Sequence, residues 1–334
     1  MRINHALQRF HATSPTYEDG MANHGPMAVE ALETLGLAEH VDAFVADYEG
    51  RLEPLVEVAP KDVVLGDGRS AAWIAVVERD LAASSVEAVV RRMLPALLPG
   101  AMAGATHGLL RTAHALRGWE REPSAARARE VAHGLAYWAA AYQPLPGAVG
   151  TRPQVPLAEA LRSLPGLTEA ERSEGGFIFD RVRALDGVSR FADAIARIDL
   201  RGETLDSLLS TVTAVFARLV LTTTRAGFAY LHVITSGVAT RVLARYVEPA
   251  QHVEVIRAVV HCATALHAAH GASTRWQSWS APAVLPSLDA LPTRAAATND
   301  AHAIKLTAAV LEAYALNPDP ALLVAADAEI RRHD

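Results

Sequence analysis

Apolar residues recur along most of this chain at the three-to-four-residue spacing of a helix that buries one face. Residues 85–98 carry the pattern, with Pro95 expected to bend it. Residues 103–116, 127–142, 205–221, 227–246 and 252–270 read the same way. Terminal signals sharpen other segments. Pro26 suits the first turn of a helix over 27–35, and Gly36 stands where a C-terminal cap belongs. Asp300 is a good N-cap for a helix over 301–316, and Asp319-Pro320 opens another. Strand signals are confined to two short β-capable pieces, 55–58 and 62–65, and nothing alternates strand with helix. The expectation is an all-α fold: one large multi-helix bundle over 1–334 with long proline-rich connections. Two stretches read as such connections. Residues 143–155 are rich in Pro and Gly, and 273–294 contain prolines with Trp276 and Trp279. Each could be a domain linker or a lid over a site.

Composition narrows the function classes. The chain has 334 residues, 51% hydrophobic and 20% charged, with a formal net charge of -6, and no cluster of Lys and Arg suggests a nucleic-acid partner. The single cysteine, Cys262, makes neither an internal disulfide nor a thiolate zinc site, so a reducing, cytoplasmic setting is expected. The opening MRINHALQRFH lacks the apolar region of a secretory leader, and no uninterrupted apolar run of about 18 residues predicts a membrane span. The 14 histidines stand out, because imidazole is both the commonest metal ligand and the usual acid–base group near neutrality.

Several chemistries can be set aside. Gly66-Asp67-Gly68-Arg69-Ser70-Ala71 resembles a dinucleotide fingerprint, but no βαβ unit surrounds it, and a plain loop is expected. His261, His267 and His270 share one helix but not one face, and are expected at the surface. The one His-Asp dipeptide, His333-Asp334, ends the chain and gives little support to a phosphohydrolase. Nucleophile elbow, P-loop, HExxH and paired ExxH motifs are absent.

Histidines in unusual settings remain. His24 lies in Asn23-His24-Gly25-Pro26-Met27, before a helix. His107 and His114 are seven residues apart, on nearly the same helical face. His232 is set among apolar residues in FAYLHVITS. His302 and Lys305 are three apart, on a stripe beside the apolar face Ala301, Ile304, Ala308, Leu311 and Ala315. Lys305 either snorkels to solvent or is buried, where desolvation lowers its pKa and frees a neutral amine.

These motifs, in this order, resemble those of the questin oxidase family: Asn23-His24-Gly25-Pro26, His107 through His114, Tyr137-Trp138-Ala139-Ala140, His232 through Ser236, His302 through Lys305, and Leu316-Asn317-Pro318-Asp319-Pro320. The resemblance implies O2-dependent oxidation or ring cleavage of a polycyclic, anthraquinone-like polyketide in secondary metabolism. It implies a mononuclear non-haem iron held by His24, His107, His232, His302 and a carboxylated Lys305, with His114 in reserve and Thr235 hydrogen-bonding the lysine carbamate. Tyr17, Glu18 and Asp19, before the first motif, are candidates to hold a substrate hydroxyl or a ligand histidine, and Arg111 to meet a quinone oxygen. The alternatives are an NADPH-dependent Baeyer–Villiger-type monooxygenase without bound metal, and a non-catalytic helical binding protein for an aromatic ligand.

Overall fold

A computed structural model describes residues 2–18, 20–172, 176–223, 227–271 and 278–333. The described residues form an all-α fold of sixteen helices. In chain order these are α1 Arg2–His11, α2 Gly25–Thr34, α3 Val41–Tyr48, α4 Ser70–Ala83, α5 Val86–Leu97, α6 His107–Arg121, α7 Ala125–Ala140 and α8 Leu157–Ser163. They continue as α9 Ile178–Arg183, α10 Ser189–Ala196, α11 Leu205–Thr222, α12 Gly227–Leu243, α13 His252–His270, α14 Ala290–Ala297, α15 Ala301–Leu316 and α16 Pro320–Ile330. Two pairs of two-residue strands tie loops together: Thr16–Tyr17 antiparallel to Met21–Ala22, and Val155–Pro156 parallel to Ile198–Asp199.

The local signals act as their chemistry requires. The Asp300 carboxylate accepts from the backbone N–H groups of His302 and Ala303 at 2.8 and 2.9 Å, starting α15. Asp319 does the same for Ala321 at 3.0 Å, and Ser85 caps α5 through Ala88. Gly36 adopts φ +76° and closes α2, with Leu37 N–H donating to the Leu32 carbonyl.

Three expectations need correction. Residues 55–58 and 62–65 join no described strand, and most of them face solvent without a sheet to pack on. Residues 66–69, by contrast, form the plain loop expected, and the Gly66 and Gly68 N–H groups donate to the Ala139 and Ala140 carbonyls at the end of α7. Of 273–294, residues 273–277 lie outside the described residues and 290–294 are helical in α14. The helix expected from residue 103 begins only at His107, because Gly104, Ala105 and Thr106 all have positive φ.

Residues 143–155 do not part the molecule. The backbone of Gly150, Arg152, Gln154 and Val155 donates to carbonyls of residues 195–197, and one apolar core draws on segments from both sides of this connection. A smaller core joins α1, α2 and α3 to Ile304 and Ala308 of α15. Helix α15 lies between these two cores, packed on α2, α12 and α16. Helix α11 is long and apolar enough to cross a membrane; it carries Asp206 and Arg218 and packs on α12 and α16.

Candidate metal centre

Four helices bring four histidines to one place. Asn23 anchors the first. Its side chain donates to Thr13 Oγ1 and the Ser14 carbonyl and accepts from Gly25 N–H, while His24 N–H donates to the Tyr48 hydroxyl at 2.8 Å. Gly25 is required by close approach, since a Cβ there would lie 2.5 Å from the Phe10 ring. His24 therefore enters α2 in one fixed orientation.

The second histidine is set by strain. Three consecutive left-handed residues, φ +54° at Gly104, +57° at Ala105 and +72° at Thr106, precede the first residue of α6. Left-handed backbone is costly for a β-branched residue and persists only where packing enforces it. The bend aims His107 Nδ1 at the Gly104 carbonyl, 2.5 Å away. A carbonyl only accepts, so Nδ1 carries the proton and Nε2 presents its lone pair. His232, inside α12, repeats the device with Nδ1 on the Phe228 carbonyl at 3.0 Å. Such backbone partners fix the tautomer of a metal-ligating imidazole.

The rings pack edge to face and face to face: His24 on His107 at 4.5 Å between centroids, His24 on His302 at 4.5 Å, and His107 on His232 at 4.9 Å. Nitrogens of His24, His107 and His302 all lie within 4.8 Å of one another. His24 Nε2 and His107 Nε2 are 2.8 Å apart, the separation of two ligands at right angles about an ion at roughly 2.0 Å. His302 Nε2 is buried without a hydrogen-bond partner. Burial, reinforced by Lys305 and the neighbouring rings, holds His24, His107 and His302 well below the ordinary imidazole range. Burial and Lys305 bring His232 down to about 4. All four are neutral at physiological pH, the ligating form.

Lys305 does not snorkel. Its side of α15 is covered, it is 3% exposed, and burial brings its pKa down to about 7 despite the opposing charge of Asp300. It shares a cavity with room for about one water with His232, Thr235 and His302. The Thr235 hydroxyl donates to the Leu231 carbonyl at 2.9 Å, so toward that cavity it offers lone pairs; donating to a lysine carbamate requires the proton to rotate away.

The remaining candidates go elsewhere. His114 lies on the face of His107, but two turns displace it by about 10 Å along the axis. Its Nδ1 is engaged by the buried Glu30 at 2.5 Å, and it is not among the converging nitrogens. Arg111 is 1% exposed, its Nε and Nη2 are taken by Glu130 at 2.7 and 3.1 Å, and its Nη1 is buried without a hydrogen-bond partner; it lines none of the described cavities that reach the imidazoles. Glu18 is exposed, and Asp19 lies outside the described residues. Tyr17 is buried and lines a cavity that also touches His24 and His302. The α13 histidines are not at the surface: His267 is buried on the Tyr230 hydroxyl, His261 donates to the Pro146 carbonyl, and a buried His270 Nε2 lacks a hydrogen bond.

Other functional features escaped the sequence reading. Glu30 and Glu130 are buried acids in apolar helical runs, a visible signal. Glu130 joins α7 to Arg111 of α6 and to His11 of α1. Phe177, Phe179 and Phe228 wall an apolar pocket of about 100 Å³ whose floor is the four imidazoles. Phe177 and Phe179 stack at 5.2 Å, and Phe228 meets His302 edge-on at 4.9 Å. These three come from segments with no shared spacing.

The donor set fits a first-row metal. It also shows a need: four neutral imidazoles leave a buried dication uncompensated, and among the described residues Asp300 comes within 4.0 Å of His302 Nδ1. No family model matches the chain, and no curated protein or solved structure matches it.

Proposed function

We propose that this protein is an oxygenase of the questin oxidase type, with a mononuclear non-haem iron held by His24, His107, His232, His302 and Lys305. The observation that carries the reading is the convergence of the His24, His107 and His302 nitrogens within 4.8 Å of one another, with the His232 ring packed 4.9 Å from that of His107 and a buried lysine beside them. Nitrogen donors with one oxygen anion suit such a metal better than calcium or magnesium. When bound, it supplies the one-electron chemistry through which dioxygen reacts with an electron-rich ring.

The chain's own residues do the rest. The Gly104 and Phe228 carbonyls orient His107 and His232. Burial brings Lys305 down to about 7, so a neutral amine is available near neutral pH; it adds carbon dioxide through its nitrogen lone pair and releases one proton to give an anionic carbamate. That anion offsets part of the buried cationic charge. Phe177, Phe179 and Phe228 offer flat apolar walls to an aromatic substrate. The reaction class we infer is oxidation or ring cleavage of such a polyketide with O2.

Metal analysis of the purified protein tests the reading. The expected result is about one iron per chain in the wild type and a large loss in Lys305→Ala. Metal-free wild-type protein that cannot be reconstituted would overturn the mechanism. Full iron occupancy in Lys305→Ala would remove the carbamate alone.

A further inference from the structure

A second, larger cavity reaches the imidazoles. It has a volume of about 360 Å³ and shares His24, His302 and Met21 with the apolar pocket. Its other walls differ in kind: Asp47 and Arg51, Thr298 and Asp300, and His333. We propose that this polar cavity is the route by which a divalent metal cation enters and leaves the imidazole cluster. The proposal rests on the metal-centre reading above.

The two cavities contrast in what they offer a hydrated dication. Among the described residues, the side chains lining the apolar pocket are all non-polar except the imidazoles themselves, so an ion passing the phenylalanines sheds water with little side-chain replacement, which is costly. The polar cavity supplies replacements in sequence. Asp47 stands at 60% side-chain exposure. Deeper in, Asp300 Oδ1 lies 3.5 Å from His333 Nε2, which is 3.7 Å from buried Glu329. The same Asp300 oxygen is 4.0 Å from His302 Nδ1. Oxygen and nitrogen donors thus run from the cavity to the ring of a candidate ligand. Two guanidiniums oppose a cation here. Arg51 is drawn to Asp47 at 3.6 Å and sits 5.0 Å over the Tyr48 ring, and Arg332 holds Glu329 at 3.0 Å. Among these described residues, three carboxylates stand against two guanidiniums, a balance that favours cation capture.

The test is the rate of Co²⁺ uptake by chelator-treated protein at low ionic strength, followed by cobalt absorbance. Asp47→Lys should slow uptake about tenfold, with the final stoichiometry and spectrum unchanged, and high salt should shrink the difference. Asp193→Lys, an exposed reversal on α10 paired with Arg152, should load like the wild type. Thr298→Trp should slow uptake at every salt concentration, and Phe228→Ala, which widens the apolar pocket, should not accelerate it. Wild-type rates in both Asp47→Lys and Thr298→Trp, or faster loading in Phe228→Ala, overturn the route. If Thr298→Trp fails to fold, the exposed Asp47 position still decides the matter. Failure of the wild type to bind cobalt at all is a different result: it removes the metal centre, and the route with it.

Discussion

Lys305 is the residue on which chemistry and stability pull in opposite directions. An amine with a pKa near 10.5 in the unfolded chain and about 7 in the fold binds fewer protons when folded. Stability therefore rises with pH between those values, and below pH 7 burial of the charge costs up to about 5 kcal/mol. In metal-free protein, Lys305→Met should raise stability at pH 7, and the gain should shrink as pH approaches 10. Urea unfolding at pH 7, 8.5 and 10 measures this; a destabilised variant at pH 7 would show that the amine is a structural partner. A residue so expensive to bury without an ion pair is a sound functional signal. Part of it was legible: the spacing of His302 and Lys305 on α15 was readable, but not the burial. The expected apolar stripe Ala301, Ile304, Ala308, Leu311 and Ala315 is buried at its first three positions and opens to solvent at Ala315, whereas the Lys305 side is covered by Leu110 of α6 and by Leu231 and Thr235 of α12. Packing of that kind leaves no periodic trace in α15 itself.

At the level of elements, helix ends were the most readable feature and one helix start the least. Asp300, Asp319 and Gly36 announce boundaries through local hydrogen bonds that need no tertiary partner. The start of α6 is different. Apolar spacing runs smoothly through residues 103–106, yet the backbone there is left-handed, and only contact with α7 explains it. A Cβ on Gly104 would lie 2.1 Å from the Tyr137 hydroxyl oxygen, and one on Gly108 would lie 2.6 Å from Trp138 Cα. These glycines let α6 and α7 close together, and the bend they permit sets His107. Gly104→Ala should therefore cost about 2–4 kcal/mol in stability, through the clash and positive φ, and should weaken metal binding as His107 shifts. Tyr137→Phe removes the clashing atom, so the double variant should regain part of both losses. Thermal melts and iron content of the three variants check this, and a double variant no better than Gly104→Ala would place the strain in the backbone alone.

Across the whole molecule, the candidate centre depends on helices distant in sequence keeping their register, and two buried glutamates tie those helices together. Glu30 links α2 to α6 through His114, Arg117 and Arg121, and Glu130 links α7 to Arg111 of α6 and His11 of α1. Burial alone would raise both carboxyl pKa values. For Glu30 the His114 hydrogen bond and Arg117 outweigh it, for Glu130 Arg111 and His11 do, and both settle at about 2. A folded pKa below the unfolded 4.5 means that the stabilisation is fully present above pH 4.5 and is lost as pH falls toward 2. Each group carries about 3 kcal/mol of such stability. The fold should therefore tolerate mild acid and fail steeply between pH 4.5 and 2, and helices α2 and α6 should part with loss of the His24–His107 approach. Glu130→Gln separates the two ties. At pH 7 it leaves the Arg111 charge buried beside a neutral amide and should cost about 3–5 kcal/mol, the usual penalty for breaking one side of a buried pair. Below pH 4.5 its stability should fall less steeply than the wild type's, because one of the two titrating links is gone. Urea unfolding from pH 7 down to 3 tests both parts. Parallel slopes in variant and wild type would show that Glu130 titrates alike in the folded and unfolded chain, in which case its link to Arg111 adds no pH-dependent stability and the register of α6 against α7 depends on packing and the glycine contacts.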